Sequence, residues 1–171
     1  MIALEVEQAL ARWIGFVGDP DVGELSYRHG ESRTPVPIRT GHDDRKRPVP
    51  CLIAMAMDET WEQDVPAPNW RGIAAVSFLH QADESTDTPD PAGEAIRIAR
   101  VIDQAIHRPD LMKSLTEASL GRLHFSGLTA GIQHSVAVED RHWLHVWALP
   151  VYVCDRTLKP SQPMEPELCP T

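Results

Sequence analysis

Little in this chain announces chemistry. Cysteine is scarce: Cys51, Cys154 and Cys169 are the three in 171 residues, odd in number and far apart. No disulfide framework or paired-cysteine metal spacing is spelled out, and reduced thiols in a cytoplasmic setting are the simpler expectation. Long apolar runs are also missing. No window approaches the roughly 18 apolar residues that suggest a membrane span, and Met1-Ile2-Ala3-Leu4-Glu5 carries no basic segment, so a secretory signal is not expected. Glycine is too sparse between Gly121 and Gly131 to cradle a phosphate, and neither Walker nor dinucleotide spacing occurs. Positive charge is in deficit, with 16 Lys and Arg against 25 Asp and Glu and a formal net charge of -9. Such a surface argues against gripping nucleic acid by its phosphates, which requires Lys and Arg to displace counterions. It leaves open DNA passing nearby without being held. No internal repeat is present.

What remains is an ordinary globular composition, 42% hydrophobic and 24% charged, with enough length for one domain and a real core. Its clearest signal is a long amphipathic helix between Asp87 and Leu115, set between two groups of strands. Asp87-Thr88-Pro89-Asp90-Pro91 supplies a cap and a proline for the first turn. Ala92, Ala95, Ile96, Ala99, Ile102 and Ile106 recur at three- and four-residue spacing, which predicts one Ala-rich apolar stripe able to lie close on a sheet. A short first helix is expected over Val6 to Phe16, with Val6, Ala9, Leu10, Trp13 and Ile14 on one face, ended by Gly15, Gly18 and Asp19-Pro20. A further helical turn around Leu111 to Leu120 closes at Gly121.

Cys51 to Met57 is apolar on both faces, as in a doubly buried strand or a subunit contact. Asn69 to His80 alternates and predicts a strand pairing with it as a hairpin across the proline-marked turn from Asp64 to Asn69. Arg122 to Val138 and His142 to Val153 predict a second hairpin turning at Glu139-Asp140-Arg141. In its last strand Trp143, His145, Trp147, Leu149 and Val151 share a face. Residues 28–50 read as a long solvated loop rich in Arg, Gly and Pro, holding one short strand around Val36 to Arg39; such loops tend to be functional. Residues 155–171, with Pro160, Pro163, Pro166 and Pro170, read as an extended arm. The expectation is one α+β domain over residues 1–154: a mixed or antiparallel sheet of about four to six strands, with one long helix on one face and a short N-terminal helix. The uncovered face keeps apolar side chains that an assembly would cover.

Candidate catalytic groupings mostly reduce to structure. His42-Asp43 has the composition of a metal-binding pair but lies in a Gly- and Arg-rich loop, where a solvated turn is the simpler reading. His142 and His145 point to opposite faces of a strand and cannot share a metal without a bulge, though His124 and His134 lie on a neighbouring strand and could approach one of them. Ser126 lacks the preceding glycine of a nucleophile elbow, and Ser77 is inside a strand. Asp83, Glu84, Asp87 and Asp90 suit solubility and a helix dipole. No cofactor and no metal is expected. The run Arg45-Lys46-Arg47 reads as a solvated loop or as a docking element for an acidic surface such as Asp83 to Asp90 of another copy.

The layout resembles the tail terminator, or tail completion, proteins of long-tailed phages. An N-terminal helix leads into Pro48-Val49-Pro50-Cys51-Leu52-Ile53, then a hairpin, an Ala-rich helix and a closing hairpin. The closest echoes are Ala74-Ala75-Val76-Ser77-Phe78, the helix from Ala92 to Leu111 with its Ile102 to Asp110 ending, and His145-Val146-Trp147-Ala148-Leu149-Pro150-Val151. The resemblance spans about residues 4 to 154 and rests on the order of elements. The 28–50 loop and the C-terminal arm depart from the shortest members. It implies a non-enzymatic virion protein of the tail or neck, built in the host cytoplasm as a ring, most often of six copies. Such a ring caps the tail tube, ends its polymerisation and offers its other face to the head connector, with DNA passing through the lumen unbound. Its partners are itself, the tail tube protein and a connector or stopper protein, with no membrane. Arg45, Lys46, Arg47, Asp83, Glu84, Asp87, Met55, Met57, Trp143 and Trp147 are then the expected contact residues. A stopper or adaptor one layer nearer the head is the near alternative; a small cytoplasmic enzyme, or a binding module using the proline-rich arm, is the distant one.

Overall fold

Helix α1 (Ile2–Phe16) buries Val6, Ala9, Leu10, Trp13 and Ile14, the stripe that the sequence predicts, and adds Glu7 to the same buried side. At 15 residues it is nearly as long as the central helix and is not a minor element. In the computed structural model, which describes residues 2–18, 25–29, 31–42, 48–58, 69–81 and 91–157, it is followed by β1 (Ser26–His29), β2 (Ser32–Pro35), β3 (Ile38–Thr40), β4 (Cys51–Asp58) and β5 (Asn69–Gln81). Then come α2 (Pro91–Ile106), α3 (Leu111–Ala118), β6 (Leu123–Leu128), β7 (Gln133–Glu139) and β8 (His142–Asp155).

The main sheet has six strands in the order β3-β4-β5-β8-β6, with β7 also paired to β8. Only β3–β4 is parallel; the other pairs run antiparallel. The class is therefore α+β with a mixed sheet, as expected. β5 and β8 pair from Asn69↔Cys154 to Gln81↔His142 and form the spine. Alternation puts Leu52, Ala54, Val76, Phe78, Trp147, Leu149, Val151 and Val153 on the face that meets the helices, all buried. β4 is buried on both faces at Cys51 to Ala54 and opens to solvent at Met57. Gly72 is forced by close approach: a Cβ there would sit 2.5 Å from the Met57 carbonyl oxygen and closer still to the Trp70 ring.

Three expectations need correction. The long helix expected from Asp87 to Leu115 ends at Ile106, and α3 is the separate helical turn expected around Leu111 to Leu120; between them, at His107 to Asp110, Pro109 cannot donate to a continuing turn. Its buried stripe is Ala95, Ile98, Val101, Ile102 and Ile106, whereas Ile96 is 58% exposed. The packing angle on the sheet selects Ile98 and Val101 over Ile96, which period alone does not reveal. Third, the described part of residues 28–50 holds more than the one short strand expected around Val36 to Arg39. β3 (Ile38–Thr40) meets that expectation at the sheet edge, and β1 and β2 add an unexpected hairpin. That hairpin docks on α2 through Glu94, whose Oε2 accepts from the Arg28 amide and from Arg97 Nη2 at 3.1 Å each, while Arg97 also donates to the Ser26 carbonyl.

α3 ends on Leu120 and Gly121, both left-handed at φ 58° and 78°. Gly121 carries that conformation without strain, as the stop signal in the sequence requires. The turn joining β7 to β8 places Asp140 and Arg141 at φ 46° and 66°, a two-residue hairpin turn built without glycine. The turn between β4 and β5, the acidic segment Asp83 to Asp90 and the arm beyond Thr157 lie outside the described residues.

Candidate assembly surface and histidine row

Helix α1 packs on β3, β4 and β5, α2 on β1 and β5, and α3 on β6. In the β7–β8 hairpin, β7 is exposed along its whole length while β8 is largely buried or half-buried. Yet β7 is not polar: Val136 and Val138 are 45% and 58% exposed, and Trp143 across from Val138 is 38% exposed. Among the described strands β7 pairs with β8 alone, so its outer edge keeps unpaired backbone groups. A seven-residue edge with no Lys or Pro lacks the usual protections against strand pairing.

Of the expected contact residues, Met57 and Trp143 are exposed, and Met55 is half-buried on the sheet face away from the helices. Trp147 is a correction. It is fully buried, its Nε1 donates to Asp103 Oδ1 at 3.0 Å, and it anchors α2 to the sheet, leaving no contact surface. The parity of Trp143 and Trp147 on one face is right; the helix layer covers only the second. Arg45, Lys46, Arg47, Asp83, Glu84 and Asp87 lie outside the described residues, as do Asp43 and Cys169.

Inside the same hairpin, three imidazoles line up across β5, β8 and β7. His80 Nε2 is 3.3 Å from His145 Nε2, and His145 Nδ1 is 3.4 Å from His134 Nε2. Ring centroids are 5.4 and 5.6 Å apart with the facing nitrogens between them, so these rings meet edge to edge. His134 also stacks on Trp147 at 4.7 Å, and His80 lies beside Phe78 at 5.1 Å. Burial lowers the pKa of His80; burial, then the neighbouring His80 and His134, lowers that of His145. His134 meets His145 as its strand position allowed, while His142 faces the other side of the sheet. His124 is elsewhere, accepting from Arg156 Nη2 at 3.0 Å. His145 offers a different nitrogen to each neighbour, so the rings do not converge on a point, and no group of three His, Cys, Asp or Glu among the described residues is arranged for a metal. His80 was hidden in the sequence because only the β5–β8 register places it opposite Trp143.

Two further groups bear on chemistry. His42 is 62% exposed on its side chain, yet its Nδ1 sits 2.7 Å from Oε2 of the buried Glu7. It is therefore not merely a solvated loop residue. The spacing of Glu7 to Leu10 and Ile14 carried the signal that this carboxylate faces inward. Second, an open groove of about 510 Å³ runs between the end of α1 and the α2–α3 junction, flanked by Phe16 and Leu120, which are 83% and 74% exposed. Its Arg108 is already held by Asp110 at 3.0 Å. Ser77 is buried in its strand, Ser126 lies in the β6 bulge, and Cys51 and Cys154 form no disulfide among the described residues. No described helix is long and apolar enough to cross a membrane. Comparison with protein-family models gives no match, and no curated protein matches the chain.

Proposed function

We propose that this chain is a structural assembly protein, working as a homo-oligomeric ring that caps the tail tube of a long-tailed phage and presents a docking face to the head connector. The observation that carries the reading is the β7–β8 hairpin, which has an open strand edge and also carries the exposed Val136, Val138 and Trp143. A heterologous edge-to-surface contact of this kind closes into a ring when the rotation per subunit is right. Covering Val138 and Trp143 removes apolar area from water, at about 25 cal/mol per Å² buried. The net charge of -9 suits a passage that DNA traverses without being retained. A stopper nearer the head would use the same surface.

The test is size-exclusion chromatography with light scattering, alone and with tail tubes, on the wild type and on a Val138→Lys/Trp143→Ser double variant. The reading expects a ring-sized species, on its own or on tubes, that the double variant loses while still unfolding cooperatively as a folded monomer. Tubes that overgrow without the protein identify a terminator; normal tubes with leaking heads identify a stopper. A monomer under every condition, with no effect on tube length or particle yield, refutes both.

A further inference from the structure

We propose that His80, His145 and His134 form a proton-sharing imidazole chain that ties β7 through β8 to β5 and loosens β7 when a second extra proton enters. The proposal is independent of what the protein assembles with. It starts from proton counting. His80 Nδ1 is 3.4 Å from the Gln81 carbonyl oxygen and donates to it, which leaves Nε2 as an acceptor. His145 Nε2–H then donates to His80, and His134 Nε2–H donates to His145 Nδ1. Three neutral rings carry three protons, and each gap between rings holds one.

One added proton fits. The two outer nitrogens, His80 Nδ1 and His134 Nδ1, then both carry hydrogen and each gap still holds one, whichever ring bears the charge. A second added proton does not fit, because it puts two N–H groups face to face across a 3.3 or 3.4 Å gap. The cluster therefore takes up protons as a coupled unit, not as three separate histidines. The surroundings agree. Phe78 and Trp143 flank the row on β5 and β8, Val136 is the partner of His145 on β7, and on α2 Asp103 is engaged by Trp147 Nε1. Of these groups only Asp103 is anionic, and its Oδ1 is taken up by the Trp147 indole. The lowered pKa of His80 follows from burial, opposed by its hydrogen bond to the Gln81 carbonyl, and that of His145 from burial first and then from repulsion by His80 and His134.

The sign is fixed by linkage. Groups held neutral by the fold give full stability above the unfolded imidazole value of about 6.5 and lose it as pH falls through the folded values. The test is a side-chain NMR titration of the whole protein, with amide hydrogen exchange of residues 133–139 at pH 7.5 and 5, corrected for intrinsic chemistry. Expected are one proton taken up near the ordinary range, the others displaced well below it, and protection of β7 falling by about tenfold or more at pH 5, while β4 is unchanged. His145→Phe should abolish that pH dependence. His134→Phe, at an exposed position, should raise the pKa of His145 and serves if the first variant does not fold. Three independent titrations, or the same loss of protection in His145→Phe, would overturn the proposal.

Discussion

Removing the carboxylate of Glu7 is predicted to cost this domain about 3 kcal/mol, and the structure says where that energy sits. β3 ends at Thr40 opposite Ala54, and the Gly41 amide closes the pairing on the Ala54 carbonyl at 2.7 Å. One step further along β4, the Ala56 amide has run out of strand and donates instead to Glu7 Oε1 at 3.1 Å. Oε2 takes the His42 ring at 2.7 Å, with the Glu7 side chain only 2% exposed. Glu7→Ala strands a buried amide, worth about 1–3 kcal/mol, and removes a charge-assisted bond besides. Glu7→Gln keeps an acceptor for Ala56 and should cost about 1 kcal/mol. His42→Ala leaves the carboxylate one partner short, but that site is open to water, so about 1–2 kcal/mol follows instead of the 3–5 of a fully buried pair. Urea unfolding should give the order Glu7→Ala, then His42→Ala, then Glu7→Gln. Midpoints should fall by roughly 2–4 °C per kcal/mol in a chain of this size. A Glu7→Ala variant within about 0.5 kcal/mol of wild type would refute the strand-capping role. Equal losses in the Ala and Gln variants would move the effect from the acceptor to the charge.

Other outcomes follow from single contacts. Trp147→Phe loses the Asp103 bond and leaves a small cavity, and should cost about 2–3 kcal/mol, against about 3–5 for Trp147→Ala; calorimetry distinguishes them. Arg141→Gly, at φ 66°, relieves left-handed strain in the β7–β8 turn and should raise stability by about 1 kcal/mol, measured by denaturant midpoint. Acidification from pH 7.5 to 5 should lower the thermal midpoint of the wild type more than that of His145→Phe.

Periodicity carried most of the fold. The α1 stripe, the β4–β5 hairpin, the turn at Asp140 and Arg141 and the stop at Gly121 were legible because each depends on neighbours within a few residues. What depended on tertiary register was not. The hairpin arm expected over Arg122 to Val138 is two strands, β6 and β7, paired with different halves of β8. Ile96 and Ile98 are equally plausible by period, and only the seat of α2 on β5 and β8 decides between them. Trp143 and Trp147 are alike in sequence, and only the limit of the helix layer leaves one wet and buries the other. The histidine row illustrates the same point: His134 and His145 are near in sequence, but His80 joins them through a pairing 65 residues long in chain separation. β1 and β2 were missed because four-residue strands rich in Arg and Ser carry no apolar alternation, and their docking on Glu94 is a tertiary event.

The central claim is that the exposed hairpin is completed by sister copies. Light scattering of the purified full chain across a hundredfold concentration range, with and without tail tubes, tests it most directly. A ring-sized mass, abolished by Val138→Lys/Trp143→Ser with folding intact, is the predicted result; a single-chain mass at every concentration and on every tube preparation would contradict it.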